Sequence, residues 1–159
     1  MREQCTLFLP VKMGAQFGGD DCTMVEILFA DEPSFEAWLH EIGSTKRRIV
    51  VPTIEYLFQN FDTLSTVRGW SKPVGRLICE LRIGPTFKHV LRLIDVNTHE
   101  IDKDQRLLIR VFYFKQKADH FVILSAYDKS ADVSRARQRS EIAKALVNYA
   151  LWTKENEVF

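Results

Sequence analysis

The sequence predicts a single domain of the α+β class. Apolar residues alternate at period two near the start and again in three segments after residue 76, with helical periodicity between them and at the end. Strands that cluster after a pair of helices, instead of alternating with them, point to α+β rather than to a doubly wound sheet. A chain of 159 residues, 46% hydrophobic and 27% charged, suits one packed core and excludes a disordered chain or a coiled coil.

Each element follows from its local pattern. Cys5–Met13 and Thr23–Ala30 are rich in β-branched and apolar residues. They flank Gly14 and Gly18-Gly19-Asp20-Asp21, so they read as two strands joined by a loop. In the second, Thr23, Val25, Ile27 and Phe29 share one face. Phe35, Trp38, Leu39 and Ile42 then fall at i, i+3, i+4 and i+7 of a helix, which either Asp31 or Ser34 caps and Gly43 ends. Ser44 is placed to cap a second helix, striped by Val50, Ile54, Leu57, Phe58, Phe61 and Leu64. Pro52 either kinks that helix or begins a second piece of it.

Arg68–Gly75 holds Gly, Ser and Pro and reads as a loop. In Leu77–Ile83 the period is two: Leu77, Cys79, Leu81 and Ile83 face one way, and Arg76, Ile78, Glu80 and Arg82 the other. Leu107–Lys115 and Phe121–Tyr127 are two more strands, and Gln116-Lys117-Ala118-Asp119 joins them as an antiparallel hairpin. The mixed stretch 85–106 is either an extra strand or an extended hairpin. A helix from about Asp132 to Thr153 closes the chain, with Ile142, Ala145, Leu146, Tyr149 and Trp152 as its buried stripe and Arg135, Arg139 and Lys144 outside.

Composition narrows the function classes. Cys5, Cys22 and Cys79 match neither a zinc spacing nor a disulfide framework, which suits a reducing cytoplasm. The apolar patch Leu7-Phe8-Leu9 is too short for a signal peptide, and no run approaches a membrane span. Net charge is only +1, yet residues 1–65 hold five Lys/Arg against ten Asp/Glu, and residues 66–144 hold sixteen against nine. Such a gradient is either accidental or the footprint of an anion-binding face in the second part of the chain.

Three words in the order of these elements carry a resemblance. Leu77-Ile-Cys-Glu-Leu-Arg-Ile-Gly84 is the first. Leu108-Ile-Arg-Val-Phe-Tyr-Phe114 is the second. Phe121-Val-Ile-Leu-Ser-Ala-Tyr-Asp-Lys-Ser130, followed by an arginine-rich helix, is the third. Together with the helix pair at residues 31–65 they resemble the RelE superfamily of bacterial toxins, and in particular its phage-derived HigB-like branch. The resemblance covers roughly residues 23–150 as the core, with 1–22 as an extension. It implies a RelE-like fold: an antiparallel sheet packed with two N-terminal helices and a C-terminal helix. Three features depart from the pattern: the length of 85–106, the extension 1–22, and Asp128 inside a closing turn that is usually more basic.

The resemblance implies a ribosome-dependent mRNA endonuclease, the toxin of a type II toxin–antitoxin pair, acting in the cytoplasm to inhibit translation. The ribose 2′-OH attacks the adjacent phosphate and the 5′-oxygen leaves, without a metal or cofactor. The implied partners are mRNA, the ribosome and a cognate antitoxin of helix-turn-helix type, with operator DNA reached only through the antitoxin and no membrane involved. A protein catalysing this step must orient the nucleophile, move protons and stabilise charge on a pentavalent phosphate. Arg and Lys suit the last task because they are permanently cationic and aim several donors at phosphate oxygens.

Catalytic candidates under this resemblance are Arg82 and Arg110 for transition-state charge, with Tyr127 and Lys129 where the last strand leaves the sheet. Tyr127 would stack on a base or share the proton work, and Lys129 would hold the phosphate or act as acid. The bland alternatives are an Arg82–Glu80 pair on a solvated face, a core tyrosine and a turn lysine. Lys72 and Arg76 are candidate phosphate contacts, weighed against a solvated loop. Arg135, Arg137 and Arg139 would grip RNA, weighed against a solvated helix face. Other sites fail: the four histidines show no ligand spacing, no Gly-Lys-Ser/Thr follows Gly18-Gly19, Cys79 alternates with apolar neighbours, and there is no serine elbow. The alternative to an enzyme is a non-cleaving RNA-, ribosome- or protein-binding module of the same fold, which Asp128 and the long 85–106 stretch favour.

Overall fold

The computed structural model describes residues 25–61, 69–84, 86, 88, 90, 92 and 105–156. Their elements run β1 (Glu26–Phe29), α1 (Glu32–Glu41), α2 (Ser44–Gln59), β2 (Ser71–Val74), β3 (Ile78–Ile83), β4 (Ile109–Lys117), β5 (His120–Asp128) and α3 (Arg135–Glu155). The sheet order is β1-β5-β4-β3-β2. The α+β class holds, but the sheet is mixed and not purely antiparallel: β1 pairs parallel with β5, Glu26 opposite His120 and Phe29 opposite Ile123. The intervening chain, from α1 through β4, supplies the crossover that a parallel pairing needs.

The sheet is covered on both faces. On one side α1 and α2 bring Phe35, Trp38, Ile49, Val50, Ile54, Leu57 and Phe58 against Leu81, Ile83, Val111, Tyr113, Phe121 and Ile123. Phe58 stacks on Phe121 at 4.6 Å and meets Tyr113 edge-on at 5.0 Å. On the other side Ala145, Ile142, Tyr149 and Trp152 of α3 pack on Ile78, Phe112, Val122, Leu124 and Tyr127. The alternation in β3 is the one expected. Cys79, Leu81 and Ile83 join the first layer, while Ile78, Glu80 and Arg82 belong to the face toward α3.

Local chemistry sets the boundaries. Asp31 caps α1 by accepting from the Ser34 N–H at 3.1 Å. Gly43, not Ser44, is the N-cap of α2, and its φ of 89° makes the sharp join between the helices. Pro52 lies inside one continuous α2, which resolves the choice between a kinked helix and a second piece. Ser134 caps α3 by accepting from the Arg137 N–H at 3.1 Å.

Four further expectations change. The loop expected over Arg68–Gly75 contains the edge strand β2, where Pro73 is tolerated because an edge strand has one unpaired side. Leu77 lies in the turn after Gly75 and is 54% exposed, so the strand begins one residue later. The hairpin between β4 and β5 closes over Ala118-Asp119 alone, with Lys117 opposite His120. Leu146 stands 40% exposed, because the buried stripe of α3 runs through Glu141 and Ala145 and leaves Leu146 beside it. Of the stretch 85–106, Thr86 and Arg106 form an isolated antiparallel bridge and Val90 is fully buried. The strand expected over Cys5–Met13, the extension 1–22, Leu64 and the rest of 85–106 lie outside the described residues. Among the described residues no helix is long and apolar enough to cross a membrane.

Candidate functional site

Strand register builds the site. Arg82 on β3 stands directly opposite Arg110 on β4, and Arg110 directly opposite Tyr127 on β5. Directly opposed residues share a sheet face with their Cβ atoms about 5 Å apart. Three residues from three separate sequence words thus form one cross-strand row on the face toward α3. The next row runs Lys72, Glu80, Phe112 and Ser125. The β4–β5 register shifts twice, between Lys115 and Lys117 and between Phe112 and Tyr113, so that Phe112 meets Ser125 and Tyr113 meets Ile123.

Two like charges directly opposite repel. Glu80 offsets this. Its side chain is fully buried, and its Oε1 accepts from Nε of Arg82 at 2.9 Å and lies 3.8 Å from Nε of Arg110. Its other oxygen is 3.5 Å from the Gln138 amide of α3. Arg110 also donates to the Ile109 carbonyl at 3.0 Å. Burial lowers the Arg110 pKa, Glu80 acts to raise it, and Arg82 lowers it. The Arg82 side chain is 38% exposed and the Arg110 side chain 13%, so Arg82 is the guanidinium that reaches solvent.

Tyr127 is buried, and its hydroxyl has no hydrogen-bond partner. Burial raises its pKa, Glu80 adds to the rise and Arg110 opposes it. The phenol therefore stays protonated at neutral pH and offers a donor, not a base. Its ring stacks near Phe112 at 6.0 Å, and the Arg137 guanidinium lies 5.7 Å from its centre. Base stacking on this ring would require Arg137 to move aside. Arg137 is held by Glu141 at 2.9 Å.

The other sequence candidates divide. Lys72, opposite Glu80 on the edge strand, borders the cluster and is exposed. Lys129 follows the last residue of β5, and its N–H donates to the Leu108 carbonyl at 2.7 Å, which fixes the turn beside the row. Arg76 is not brought in: it lies in the β2–β3 turn, six residues before Arg82, roughly 20 Å along the strand. Arg135 and Arg139 are exposed and two residues either side of Arg137, about 200° round the helix. Among the three helix arginines, Arg137 alone meets the row.

Sequence reasoning missed the residues that hold these cations. Glu80 figured only as a partner for Arg82 on a solvated surface, whereas it is fully buried. Gln138 and Glu141 were not singled out. Their signal was the i, i+4 spacing of Arg137 and Glu141 on one helix. Asp128 pairs with Lys46 of α2, and its other oxygen accepts from the Ser130 N–H at 2.9 Å. It therefore anchors the turn instead of pointing into the row. Among the described residues no group of His, Cys, Asp or Glu could hold a metal ion.

The arrangement presents the solvent-reaching guanidinium of Arg82 to an anion, with the Glu80 carboxylate holding the place between it and Arg110 and a turn lysine at the margin. No family model matches this chain, and no curated protein or solved structure matches it.

Proposed function

We propose that this protein is a ribosome-dependent mRNA endonuclease, the toxin of a type II toxin–antitoxin pair, and that the Arg82–Arg110–Tyr127 row is where it engages the scissile phosphate. The observation that carries the reading is the register. Three residues singled out by separate family-like words become direct cross-strand neighbours. The five-stranded mixed sheet with three helices is compatible with a RelE-like α+β fold.

In this reading Arg82 contacts the phosphate from the solvent side. Arg110, less exposed, stabilises the charge that grows on the pentavalent phosphate. Tyr127, whose hydroxyl is buried in the free protein, donates toward the leaving 5′-oxygen or a phosphate oxygen once Arg137 moves aside, in keeping with its raised pKa. Lys129 supplies a further cation, Lys72 and Arg137 extend the contact along RNA, and Arg76, Arg135 and Arg139 meet more distant phosphates of the ribosome. An antitoxin of helix-turn-helix type, encoded beside it, would cover this face.

One observation favours the alternative, a non-cleaving RNA- or ribosome-binding module. Glu80 already partners the guanidiniums, which weakens their net charge for catalysis. The test is expression in a bacterium with and without the neighbouring gene, with mapping of mRNA 5′ ends. Growth arrest and new cuts on translated messages, lost with Arg110→Ala and with Lys129→Ala, are expected. Normal growth and unchanged messages, or toxicity that survives both substitutions, would overturn the assignment.

A further inference from the structure

The two edges of the sheet differ in kind. Each edge strand is four residues long. β2 carries Lys72 and Pro73, residue types that keep a further strand from pairing. β1 carries neither, and among the described residues no strand lies against its outer side. The Glu26 N–H donates to the Asp119 carbonyl at 2.7 Å, and the Ala30 N–H to the Ile123 carbonyl at 2.9 Å. Successive residues of a strand turn their backbone groups to opposite sides. With Glu26 and Ala30 facing β5, Ile27 and Phe29 turn theirs outward.

The side chains of the same two residues stand on the face toward α1 and α2. There they line a cleft of about 140 Å³ between β1 and those helices. Phe35 and Leu39 of α1 and Val51 and Ile54 of α2 wall it, with the Phe35 ring 4.9 Å from that of Phe29. A cavity of this size takes a benzene ring, so one leucine or phenylalanine side chain fills it. Among the described residues, the charged groups of the lining are Glu32, Glu36 and Glu55, all acidic. No cation meets Glu55: burial alone acts on its carboxyl and raises its pKa. A half-buried carboxylate beside apolar walls favours a positively charged donor. The cleft also belongs to the acidic part of the chain, where residues 1–65 hold five Lys/Arg against ten Asp/Glu. Such a lining repels nucleic acid and anionic lipid alike.

We propose that the outer edge of β1 and this cleft together form a docking surface for an extended, cationic segment of a partner protein. The segment adds a strand to the five-stranded sheet. Its amides and carbonyls pair with those of Ile27 and Phe29, and every second side chain falls on the cleft face. One apolar side chain on that face fills the cleft. A Lys or Arg two residues away, about 7 Å along the strand, meets Glu55 or the glutamates of α1. A second copy of this chain is a poor occupant, because its own β1 would bring the same three glutamates against these. The surface lies on the α1 and α2 face, whereas the Arg82–Arg110–Tyr127 row faces α3, so the proposal does not rest on the RNA reading.

The test is fluorescence anisotropy of the full chain with three labelled heptapeptides. The first, Thr-Lys-Thr-Leu-Thr-Lys-Thr, sets lysine, leucine and lysine on one face of a strand. The second has glutamate in place of both lysines. The third is the first with its inner amides N-methylated, so that they cannot donate to a sheet edge. The lysine peptide should bind about tenfold tighter than the glutamate peptide at low salt and lose affinity as salt rises. N-methylation should abolish its binding. Glu55→Gln, which removes a charge but keeps the shape, should weaken the lysine peptide about two- to fivefold, and Glu36→Lys by a similar factor. Circular dichroism confirms the fold of both variants. No binding by the folded chain, equal binding of the lysine and glutamate peptides, or binding that survives N-methylation would overturn the proposal. So would a preference that both substitutions leave unchanged. Sedimentation of the chain alone as dimers that the lysine peptide does not dissociate would give the edge to a second copy, and would overturn it as well.

Discussion

The buried carboxylate of Glu80 accepts from Nε of Arg82 at 2.9 Å, and the same oxygen faces Arg110, so one acid holds two directly opposed guanidiniums together.

Neutralising that acid should therefore unmask a repulsion. In Glu80→Gln the opposed arginines lose their shared counter-charge, and because Arg82 is partly exposed it can turn to water. The expected loss of stability is about 1–3 kcal/mol, read from urea unfolding. Added phosphate or sulfate should restore more stability to the variant than to the wild type, because an anion then occupies the place of the carboxylate. Equal responses of the two proteins to these salts would refute an anion site between the arginines.

Arginine geometry yields a second prediction. A guanidinium aims a rigid fork of donors, whereas an ammonium is a point charge. If Arg110 stabilises charge on phosphate, Arg110→Lys should keep RNA affinity at low salt but lose about 100-fold or more in cleavage rate, the usual effect of removing one oriented donor. Single-turnover cleavage and filter binding separate the two. A Lys variant that cleaves at the wild-type rate would reduce Arg110 to a charge contact.

The row was legible in the sequence because Arg82, Arg110 and Tyr127 sit in segments whose alternation assigns each residue a side. What alternation cannot supply is register. Between β4 and β5 it is set by shifts at Phe112/Tyr113 and Lys115/Lys117 and by the two-residue turn at Ala118-Asp119, between β3 and β4 by their own pairing, and only register makes these three residues neighbours. β2 looks like a loop in the sequence because four residues around Pro73 carry no period. The parallel partner of β1 lies about ninety residues away, and no local pattern reports such a pairing. Glu141 escapes the pattern because an apolar stripe gives no sign of a buried acid, and the N-terminal part of α3 buries one.

Tyr127 separates stability from function. Its hydroxyl is buried without a partner, so Tyr127→Phe should leave stability unchanged or raise it by up to about 1 kcal/mol, while lowering cleavage if the phenol donates a proton. Tyr113 is the contrast. Its hydroxyl pairs with Ser71, so Tyr113→Phe should cost about 1 kcal/mol. Both phenols have raised pKa values, chiefly through burial. The folded state then holds protons that the unfolded state releases. Their contribution is fully present below the ordinary tyrosine pKa of about 10 and falls as pH rises from there toward the folded values. Alkaline unfolding should begin in that range and be flattened in the two Phe variants. An unchanged alkaline limb would show that other groups govern it.

Asp128 is the residue that departs most from a basic closing turn, and its contacts give that departure a structural reason. One carboxylate oxygen pairs with Lys46 at the start of α2, and the other accepts from the Ser130 N–H. The pair is mostly shielded, with side-chain exposures of 17% and 12%, so it ties the helical layer to the end of β5 immediately before Lys129. Asp128→Asn keeps an acceptor for Ser130 but drops the charge that Lys46 meets. It should cost about 1 kcal/mol and loosen the turn, with faster amide exchange at Lys129 and Ser130. Lys46→Met should produce the same loosening from the other side, and the double variant should lose less than the sum of the two. If Asp128 instead acted directly on RNA, Asp128→Asn would change cleavage while exchange at the turn stayed as in the wild type, and Lys46→Met would leave cleavage untouched.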